Sequence, residues 1–342
     1  MSETLPSNTV TEDKRNREGE TNRLLRYGAA LVAVQLLLLV AATALAATPW
    51  FMDHDADPGL KNIGYSLRLR NADCDVLIYG DSTSLTGLDP AIIQQVTGLT
   101  ACNISETVSV QGVVGSSFAI DHYLSQNKRP RFLLAMYNSL MFRPERPPFD
   151  TYQPEGVLYA LQYDRNKKLY RKLLTRPDWL FKFGIWSAHA MVLDFLQHHF
   201  PGQATPPPLD YANVRAQRNG QFPFPVPPET KCMREDSPDS IGRYADSVSA
   251  MRSHYGVQGT QVILNLSPAA ACDKNKAIYQ SREDGLHDNP FEVLPISNFN
   301  EGDVHFSPEG SRHISLEAAQ QILALEHQAP TQPAIPSERA AH

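Results

Sequence analysis

A long uncharged segment near the amino end constrains this chain more than any other feature. No charged residue occurs between Arg26 and Asp53, and residues 29–47 are almost entirely Ala, Leu and Val. An α-helix rises about 1.5 Å per residue, so this segment is long enough to cross the ~30 Å hydrocarbon core of a bilayer. The sequence therefore predicts one transmembrane anchor, which we place at residues 27–50.

The charges on either side of this segment predict its orientation. Basic residues precede it and acidic residues follow it: Arg23 and Arg26 before, and Asp53, Asp55 and Asp57 after. Basic flanks stay in the cytoplasm, so we expect a single-pass protein of the inner (cytoplasmic) membrane whose remaining chain is periplasmic. A cleaved signal peptide is the alternative, because residues 44–46 fit a small-residue cleavage site. The apolar run is, however, longer than the ~7 to 15 residues of a signal core.

Polar segments frame the predicted globular part. Residues 1–26 are charged and almost free of apolar side chains, which predicts a disordered cytoplasmic tail. Residues 51–74 are predicted to form a linker, and residues 328–342 a second disordered tail. The remaining residues, 75–327, are predicted to form an α/β domain.

Within that domain, short apolar runs alternate with helical patterns. Strands are predicted at residues 76–79, 99–104, 131–137 and 261–266, and helices from residue 89 and at residues 112–126, 237–254 and 307–325. Buried strands that alternate with helices are typical of a parallel sheet covered on both faces. The sequence thus predicts an α/β fold with one such sheet.

A long insertion, at about residues 142–235, interrupts the alternation. Its core, residues 156–199, has a helical pattern in which basic residues precede the aromatic-rich stretch 179–186. One interpretation is a helical cap packed on the α/β domain. The other is a lid or a membrane-surface element, because basic and aromatic side chains suit a headgroup interface. Residues 201–228 are rich in proline and predict an irregular return path.

Four cysteines agree with an oxidising compartment. Cys74 precedes the first predicted strand, and Cys102 lies near the end of the second. If these strands are parallel neighbours, the two cysteines lie near the same sheet edge and can pair, which leaves Cys232 and Cys272 for a second bridge. Four cysteines allow three pairings, so this pairing remains a prediction.

The first predicted strand ends in the tripeptide Gly80-Asp81-Ser82. The glycine lets the chain turn sharply and present a serine at the carboxyl end of the strand, where open α/β sheets place their chemistry. Asp89 before Pro90 is a typical helix start, so Ser82 is predicted to lie in a loop that feeds a helix. Alone, such a tripeptide is more often a structural turn.

A second motif, near the carboxyl end, supports a functional interpretation of the first. Asp303 and His305 lie just before Ser307-Pro308-Glu309-Gly310, which predicts a cap and the first turn of the closing helix. A serine after the first strand, combined with a late acid and histidine, resembles the SGNH/GDSL hydrolase superfamily over roughly residues 75–325. The resemblance implies a flavodoxin-like, three-layer parallel sheet, here with a helical insertion.

The resemblance also implies a catalytic triad. Ser82 would be the nucleophile, His305 the general base and then acid, and Asp303 the group that orients the imidazole. The common family pattern separates acid and histidine by three residues, whereas here they are two apart. Related polysaccharide O-acetylation proteins are similar in having this shorter form.

For the oxyanion hole, the resemblance implies three donors. They are the backbone N–H of Ser82, an asparagine after the third strand and a glycine after the second. Asn138 fits the asparagine. Ser105-Glu106 stands where the glycine is expected, and Gly112 follows later, at the start of a predicted helix.

Other histidines compete with His305 for the role of base. His313 lies inside the closing helix, where a solvent-facing histidine is the ordinary state. His198 and His199 lie in the insertion, without the spaced partners that a metal site needs. The capped helix behind His305 favours His305, because it fixes the position of that residue.

Charge and composition also limit the classes of partner that this chain is expected to bind. The net charge is −6, the basic residues are scattered, and the sequence has no Gly-rich phosphate loop or paired zinc cysteines, which disfavours a nucleic-acid partner. The implied chemistry needs no cofactor and no metal. We expect a serine ester hydrolase or O-acyltransferase that acts through an acyl-enzyme, with an envelope glycan or another acylated carbohydrate as substrate. The alternative is a catalytically silent SGNH-like scaffold of an envelope-assembly complex.

Overall fold

The computed structural model describes the amino-terminal helix and much of the predicted α/β domain. The described residues are 9–46, 48, 64–106, 118–138, 185, 188–189, 191–193, 195–196, 199, 211–222, 251–257, 259–274, 276, 287–300 and 304–328. Within them the fold is mixed α/β, and its centre is a four-stranded parallel sheet.

Helix α1 spans Thr9–Ala46. Its segment Thr21–Ala42 is long and apolar enough to cross a membrane, and none of it is buried against the rest of the chain. A retained anchor and a signal sequence both satisfy that description. Residues 9–26 are helical, which corrects the prediction of a disordered tail there. The reason is that Glu, Lys and Arg are good helix formers and extend a helix that the apolar segment has already nucleated.

Four strands form the central sheet in the order β2-β1-β3-β4. They are β1 (Val76–Gly80), β2 (Ala101–Asn103), β3 (Phe132–Tyr137) and β4 (Gln261–Leu266). All three pairings are parallel, and the register aligns Val76 with both Ala101 and Phe132. The predicted β4 matches the structure at both ends, and the predicted β1 ends one residue before the observed strand. The predicted β2 is longer than the three residues that pair.

The strand order changes direction at β1. The chain runs from β1 outward to β2 and then crosses to the other side of β1 to form β3. The crevice at the carboxyl ends of strands around such a point is where open α/β sheets bind their ligands. Residues that follow β1, β2 and β3 therefore converge on one edge of the sheet.

The described helices follow the strands. They are α2 (Ser82–Gly87), α3 (Pro90–Thr97), α4 (Phe118–Gln126), α5 (Tyr211–Gln217) and α6 (Pro308–Gln328). One face of the sheet, represented by Val76, Leu134 and Ile263, packs in a buried apolar cluster with Ile93 of α3 and Ile322 of α6. All residues of β1 and β3 are buried, as expected for parallel strands covered on both faces.

Two predicted helix starts are confirmed by their caps. The Asp89 side chain accepts a hydrogen bond from the backbone of α3, Pro90 is the first residue of that helix, and Gly98 ends it in the left-handed conformation. At α6, the Ser307 hydroxyl accepts a hydrogen bond from the Gly310 backbone N–H at 3.3 Å. A side chain close in sequence thus caps the start of each of these two helices.

Short elements join β4 to α6. Strand β5 (Ala269–Ala270) pairs in parallel with β6 (Val293–Leu294), and a 3-10 helix (Ile296–Asn298) follows. Strand β7 (Phe299–Asn300) then pairs antiparallel with β8 (His305–Phe306). Strands of two residues carry no periodic pattern, so the sequence did not predict them.

The Cys74–Cys102 disulfide is present, with 5.9 Å between the Cα atoms. The prediction for this pair is confirmed because β1 and β2 are parallel neighbours. Cys272 is disulfide-bonded as well, and its predicted partner Cys232 lies outside the described residues.

The insertion is described in part. Ile185 and the other described residues up to His199 are helical, and the rest of residues 142–210, including the aromatic stretch 179–186 apart from Ile185, lies outside the described residues. Residues 211–217 form helix α5, which corrects the prediction of an irregular path there. The correction follows from Arg215, whose contacts within the α/β domain hold this segment in place.

Candidate active site

Ser82 is the first residue of helix α2 and is 5 % exposed. The predicted loop around Ser82 is therefore wrong, because Asp81 caps a helix that starts one residue after the strand. Gly80 makes this turn possible: a Cβ added there would lie 1.9 Å from the Met136 carbonyl oxygen of the neighbouring strand. The strand, the glycine and the cap together hold Ser82 at the carboxyl end of β1.

Asp81 is fully buried, and its carboxylate joins two strand ends. Oδ1 accepts hydrogen bonds from the Thr83 backbone at 2.9 Å and the Thr83 hydroxyl at 2.5 Å, and Oδ2 accepts one from the Asn138 backbone at 2.8 Å. Burial raises the pKa of Asp81, whereas these hydrogen bonds and the charge of His305 act to lower it. Sequence analysis treated Asp81 as a turn residue; its position directly before Ser82 was the available signal for a cap.

Asn138 follows β3 and is 3 % exposed. Its backbone bond to Asp81 holds it beside the start of α2. The structure therefore brings the predicted oxyanion residues Ser82 and Asn138 to the same sheet edge. Gly112, the third predicted donor, lies outside the described residues.

Ser105 and Glu106 follow β2 and are fully buried. The Glu106 backbone N–H donates to the Gly80 carbonyl at 3.1 Å, and the Ser105 hydroxyl donates to the Ser84 hydroxyl at 2.8 Å. The pair thus lies directly against the turn that carries Ser82. Where the family resemblance implies a glycine, this chain places a buried carboxyl group that sequence analysis did not include in the site.

Arg215 of α5 is a fully buried cation beside these residues. Its guanidinium donates to the carbonyl oxygens of Asn103 at 2.8 Å and Ser105 at 3.2 Å, and to that of Gly220 at 2.7 Å. It also stacks on Tyr65, with 4.7 Å from Cζ to the ring centroid. Burial raises the pKa of Tyr65 to about 12, and the charge of Arg215 opposes that rise.

The chain after α5 continues along the outer side of β2. The Asn103 backbone N–H donates to the Asn219 carbonyl at 2.8 Å, and a Cβ on Gly220 would lie 1.9 Å from the Asn103 oxygen. Among the described strands β2 has a neighbour on one side only, so residues 219–220 satisfy groups at the edge of the sheet. Residues 219–220, which belong to the insertion, therefore pack against β2 beside the candidate site.

Further hydrogen bonds hold the carboxyl-terminal end of helix α2 in place. Gln221 donates to the Thr86 carbonyl at 3.2 Å and to the Ser311 hydroxyl of α6 at 2.9 Å. The Gly87 carbonyl accepts from the hydroxyls of Ser311 and Ser315. These contacts join α2 to both the insertion and the closing helix.

His305 lies on β8, and β8 packs against α2. The ring of Phe306 lies so close to Gly87 that an added Cβ would be 2.6 Å from it, and the charge of His305 acts on Asp81. The structure thus brings the helix of Ser82 and the strand of His305 together. Asp303, the predicted orienting acid, lies outside the described residues.

The histidines that were considered as alternatives to His305 for the role of base lie in different surroundings. His313 on α6 has a 41 % exposed side chain and bonds to Glu292 at 2.8 Å, with Glu317 at 3.6 Å. The bond to Glu292 raises the pKa of His313, and burial together with Glu292 raises the pKa of Glu317 to about 7. His199 stacks on Phe195, and His198 lies outside the described residues.

Among the described residues, one cluster has donor atoms close enough together to hold a metal ion. It consists of Glu292, His313 and Glu317. Their donor atoms all lie within 4.8 Å of one another. The His313 ring nitrogen bonds directly to Oε1 of Glu292 at 2.8 Å, so these two side chains contact each other without an ion between them. Neither Ser82 nor His305 belongs to this cluster.

Comparison of the chain with protein-family models, with curated proteins and with solved structures found no significant match.

Proposed function

We propose that this protein is a serine esterase or O-acyltransferase of the SGNH/GDSL type, with Ser82 as nucleophile and His305 as base. One observation carries the proposal: β8, which bears His305, packs against the helix that begins with Ser82. A nucleophile and its base must lie within reach of each other, and residues so distant in sequence meet only through the fold.

The topology of the sheet supports this assignment. The order β2-β1-β3-β4 is the beginning of the flavodoxin-like order, in which ligands bind at the carboxyl ends of β1 and β3. Ser82 follows β1 and Asn138 follows β3, so both lie at that edge. A serine at this edge has the position that catalysis on an α/β sheet requires.

The proposed reaction proceeds through an acyl-enzyme. The Ser82 oxygen attacks the ester carbonyl while His305 takes the hydroxyl proton, and His305 then returns that proton to the departing alcohol. Water or a sugar hydroxyl attacks the acyl-enzyme in the second half, with His305 again as base. The Ser82 backbone N–H and the Asn138 side chain would donate to the tetrahedral oxyanion.

Asp81 supports both partners in this scheme. Its carboxylate fixes the backbone of Asn138 by a hydrogen bond, and its interaction with His305 favours the imidazolium that forms during the reaction. Asp303 is proposed as the group that orients the imidazole.

The surroundings of the enzyme follow from the amino-terminal helix. The apolar segment Thr21–Ala42 and the arginines before it support a single-pass anchor with the catalytic domain outside the cytoplasmic membrane. The Cys74–Cys102 bridge agrees with an oxidising compartment. An acylated envelope glycan is the substrate class we propose for an enzyme in that position.

A silent scaffold is the second candidate, and one specific observation favours it. Fully buried Ser105 and Glu106 occupy the place of the glycine donor. A carboxyl group beside a developing oxyanion would oppose its charge. A protein that kept the fold and lost this donor would bind partners without turnover.

A fluorophosphonate probe, followed by mass spectrometry, separates the two candidates. The full chain in detergent should be labelled on Ser82, and labelling should vanish in Ser82→Ala but persist in Ser125→Ala, since Ser125 is an exposed serine on α4. Absence of label from a folded wild-type protein would reject the enzyme and favour the scaffold.

A further inference from the structure

We propose that Glu292, His313 and Glu317 form a binding site for one divalent transition-metal ion of the Zn²⁺ type, and that the ion joins the segment before β6 to helix α6. Histidine nitrogen and carboxylate oxygen are both ligands that Zn²⁺ takes in proteins. The three residues have no part in the proposed catalytic machinery, so this inference does not depend on the proposed function.

Two separate elements bring the three side chains together. His313 and Glu317 are four residues apart on α6, which makes them neighbours on one side of that helix. Glu292 directly precedes β6, and its backbone carbonyl oxygen accepts a hydrogen bond from the Ala269 N–H at 3.0 Å. One possible ligand atom of each side chain lies within 4.8 Å of those of the other two. The ligands thus converge on one point between the helix and the segment before β6.

The distances between the donor atoms suit a small ion. Zinc bonds to nitrogen and oxygen are about 2.0–2.2 Å long, so two ligand atoms at a tetrahedral angle lie about 3.3 Å apart. Nε2 of His313 lies 2.8 Å from Oε1 of Glu292 and 3.6 Å from Oε1 of Glu317. Small side-chain rotations therefore admit the ion. Three protein ligands leave a fourth position for water, which the partly exposed side chains can admit.

The second carboxylate oxygen of Glu292 is an independent indication of a ligand. Oε2 is buried and accepts no hydrogen bond from the described part of the chain, whereas Oε1 bonds to His313. A buried carboxylate oxygen is costly unless a donor or a cation satisfies it. Carboxylates bind metal ions through one or both oxygens, so an ion at Oε1 can also satisfy Oε2.

The charges of the cluster favour the same occupant. Two carboxylates lie beside one imidazole, and like charges at such distances disfavour each other. A divalent ion supplies two positive charges, which match the two carboxylates while histidine ligates as a neutral imidazole. The occupied site is therefore electrically balanced.

The backbone around the cluster is held in place by the core. Ile314 and Ala318, each next to a ligand on α6, belong to the same buried apolar cluster as Leu294 of β6. Ion binding then has to order only side chains, because packing already fixes both elements relative to each other. A bound ion stabilises the folded state by linking β6 to α6.

A zinc titration tests the site directly. The full chain in detergent is stripped with a chelator, and Zn²⁺ is titrated in competition with a fluorescent zinc indicator. Glu292→Gln and His313→Gln should each weaken the affinity by roughly 100-fold or more, since changes outside the ligand shell alone cost about 10- to 100-fold. Ca²⁺ should not displace the ion, because it prefers a shell of six to eight oxygen ligands.

The matched controls lie on the same helix. Glu309 in the first turn of α6 and His327 in its last turn are exposed, so Glu309→Gln and His327→Gln should keep the wild-type affinity. Equal affinity in the wild type, Glu292→Gln and His313→Gln would overturn the inference, and so would a folded wild type that binds no Zn²⁺. A lack of label on Ser82 would reject the proposed function and leave this result unaffected.

Thermal unfolding gives a second readout. Zn²⁺ should raise the melting temperature of the wild type and of both controls but not that of Glu292→Gln. Glutamine has nearly the shape of glutamate, and circular dichroism checks that the variant is folded. An equal rise in the wild type and in folded Glu292→Gln would show that the ion binds elsewhere and would overturn the site.

Discussion

Two histidines near the carboxyl end lie close to acidic groups, and their surroundings give them different properties. His313 bonds to Glu292 on the outer face of α6, with 41 % of its side chain exposed. His305 interacts with Asp81, a carboxyl group that is fully buried at the end of β1. Water screens the first pair, whereas the second acts in a low local dielectric where charge interactions are stronger. Burial, rather than the mere nearness of acid and base, marks the candidate site.

The same contrast separates buried and exposed charges elsewhere in the domain. Arg215 is fully buried and bonded to three carbonyl groups, whereas Arg218, three residues on, is exposed. Asp81 and Asp89 both cap helices, but only Asp81 is fully buried. Each pair offers a variant and its control within the same stretch of chain.

The largest effect is expected at the proposed triad. Ser82→Ala and His305→Ala should each reduce ester turnover by roughly 10³-fold or more, and the double variant should cost little beyond either single one, because the two residues act as a unit. Turnover is measured with a chromogenic acetyl ester.

His313→Ala is the control for that prediction, since it removes the exposed histidine. It should keep turnover near the wild-type level. Loss of turnover in His313→Ala with full activity in His305→Ala would reverse the comparison and move the base to α6.

The next effect concerns stability. Arg215→Met removes the donor for three buried carbonyl groups and should lower the free energy of unfolding by about 3 kcal/mol or more. Arg218→Met alters an exposed side chain and should stay within about 0.5 kcal/mol. Chemical denaturation followed by circular dichroism measures both. Equal effects would mean that the buried arginine is not needed to hold residues 211–222 against β2.

The caps provide a smaller contrast. Asp81→Ala leaves the Thr83 and Asn138 backbone N–H groups without an acceptor inside the core, so it should cost about 2–4 kcal/mol. Asp89→Ala removes a cap whose backbone donor water can reach, so the cost should be about 1 kcal/mol. Thermal unfolding of the two variants compares them. A larger loss in Asp89→Ala would contradict the contribution that we assign to burial.

Local patterns predicted a large part of this fold. The apolar runs of β1 and β4, the Asp89-Pro90 start of α3 and the Ser307 cap of α6 depend on neighbouring residues, and all four agree with the structure. Residues 9–26 were predicted to be disordered from their composition alone. Composition does not show that the apolar helix that follows extends into them.

Long-range contacts account for most of what sequence reasoning missed. Arg215 and Ser105 are 110 residues apart, and Asp81 and Asn138 are 57 apart, so no local pattern indicates that either charge is buried. Strands β7 and β8 are too short for periodicity, so the sequence did not predict the antiparallel pair that contains His305. The resemblance brought Ser82 and His305 into one hypothesis, and the roles of Asp303 and Gly112 stay predictions.

The smallest effect, and the one that tests the exposed side of the comparison, is the pH dependence of the cluster on α6. Burial and Glu292 raise the pKa of Glu317 to about 7, and Glu292 raises that of His313. A raised pKa means that the folded state favours the protonated form. The stabilising contribution of Glu317 is therefore complete below its ordinary value of 4.5 and is lost as the pH rises through 7.

His313 follows the same rule, since its contribution is complete below its ordinary value of 6.5 and is lost as the pH rises through the raised value. Glu317→Gln removes the carboxylate that opposes Glu292, so its stability relative to wild type should improve steadily between pH 5 and 8. Because the Glu317 side chain is 49 % exposed, solvent screening should keep the gain below about 1 kcal/mol. Denaturation at several pH values, with Glu309→Gln in the first turn of α6 as control, measures it. A relative stability that falls as pH rises would show that Glu317 is held by His313 rather than repelled by Glu292.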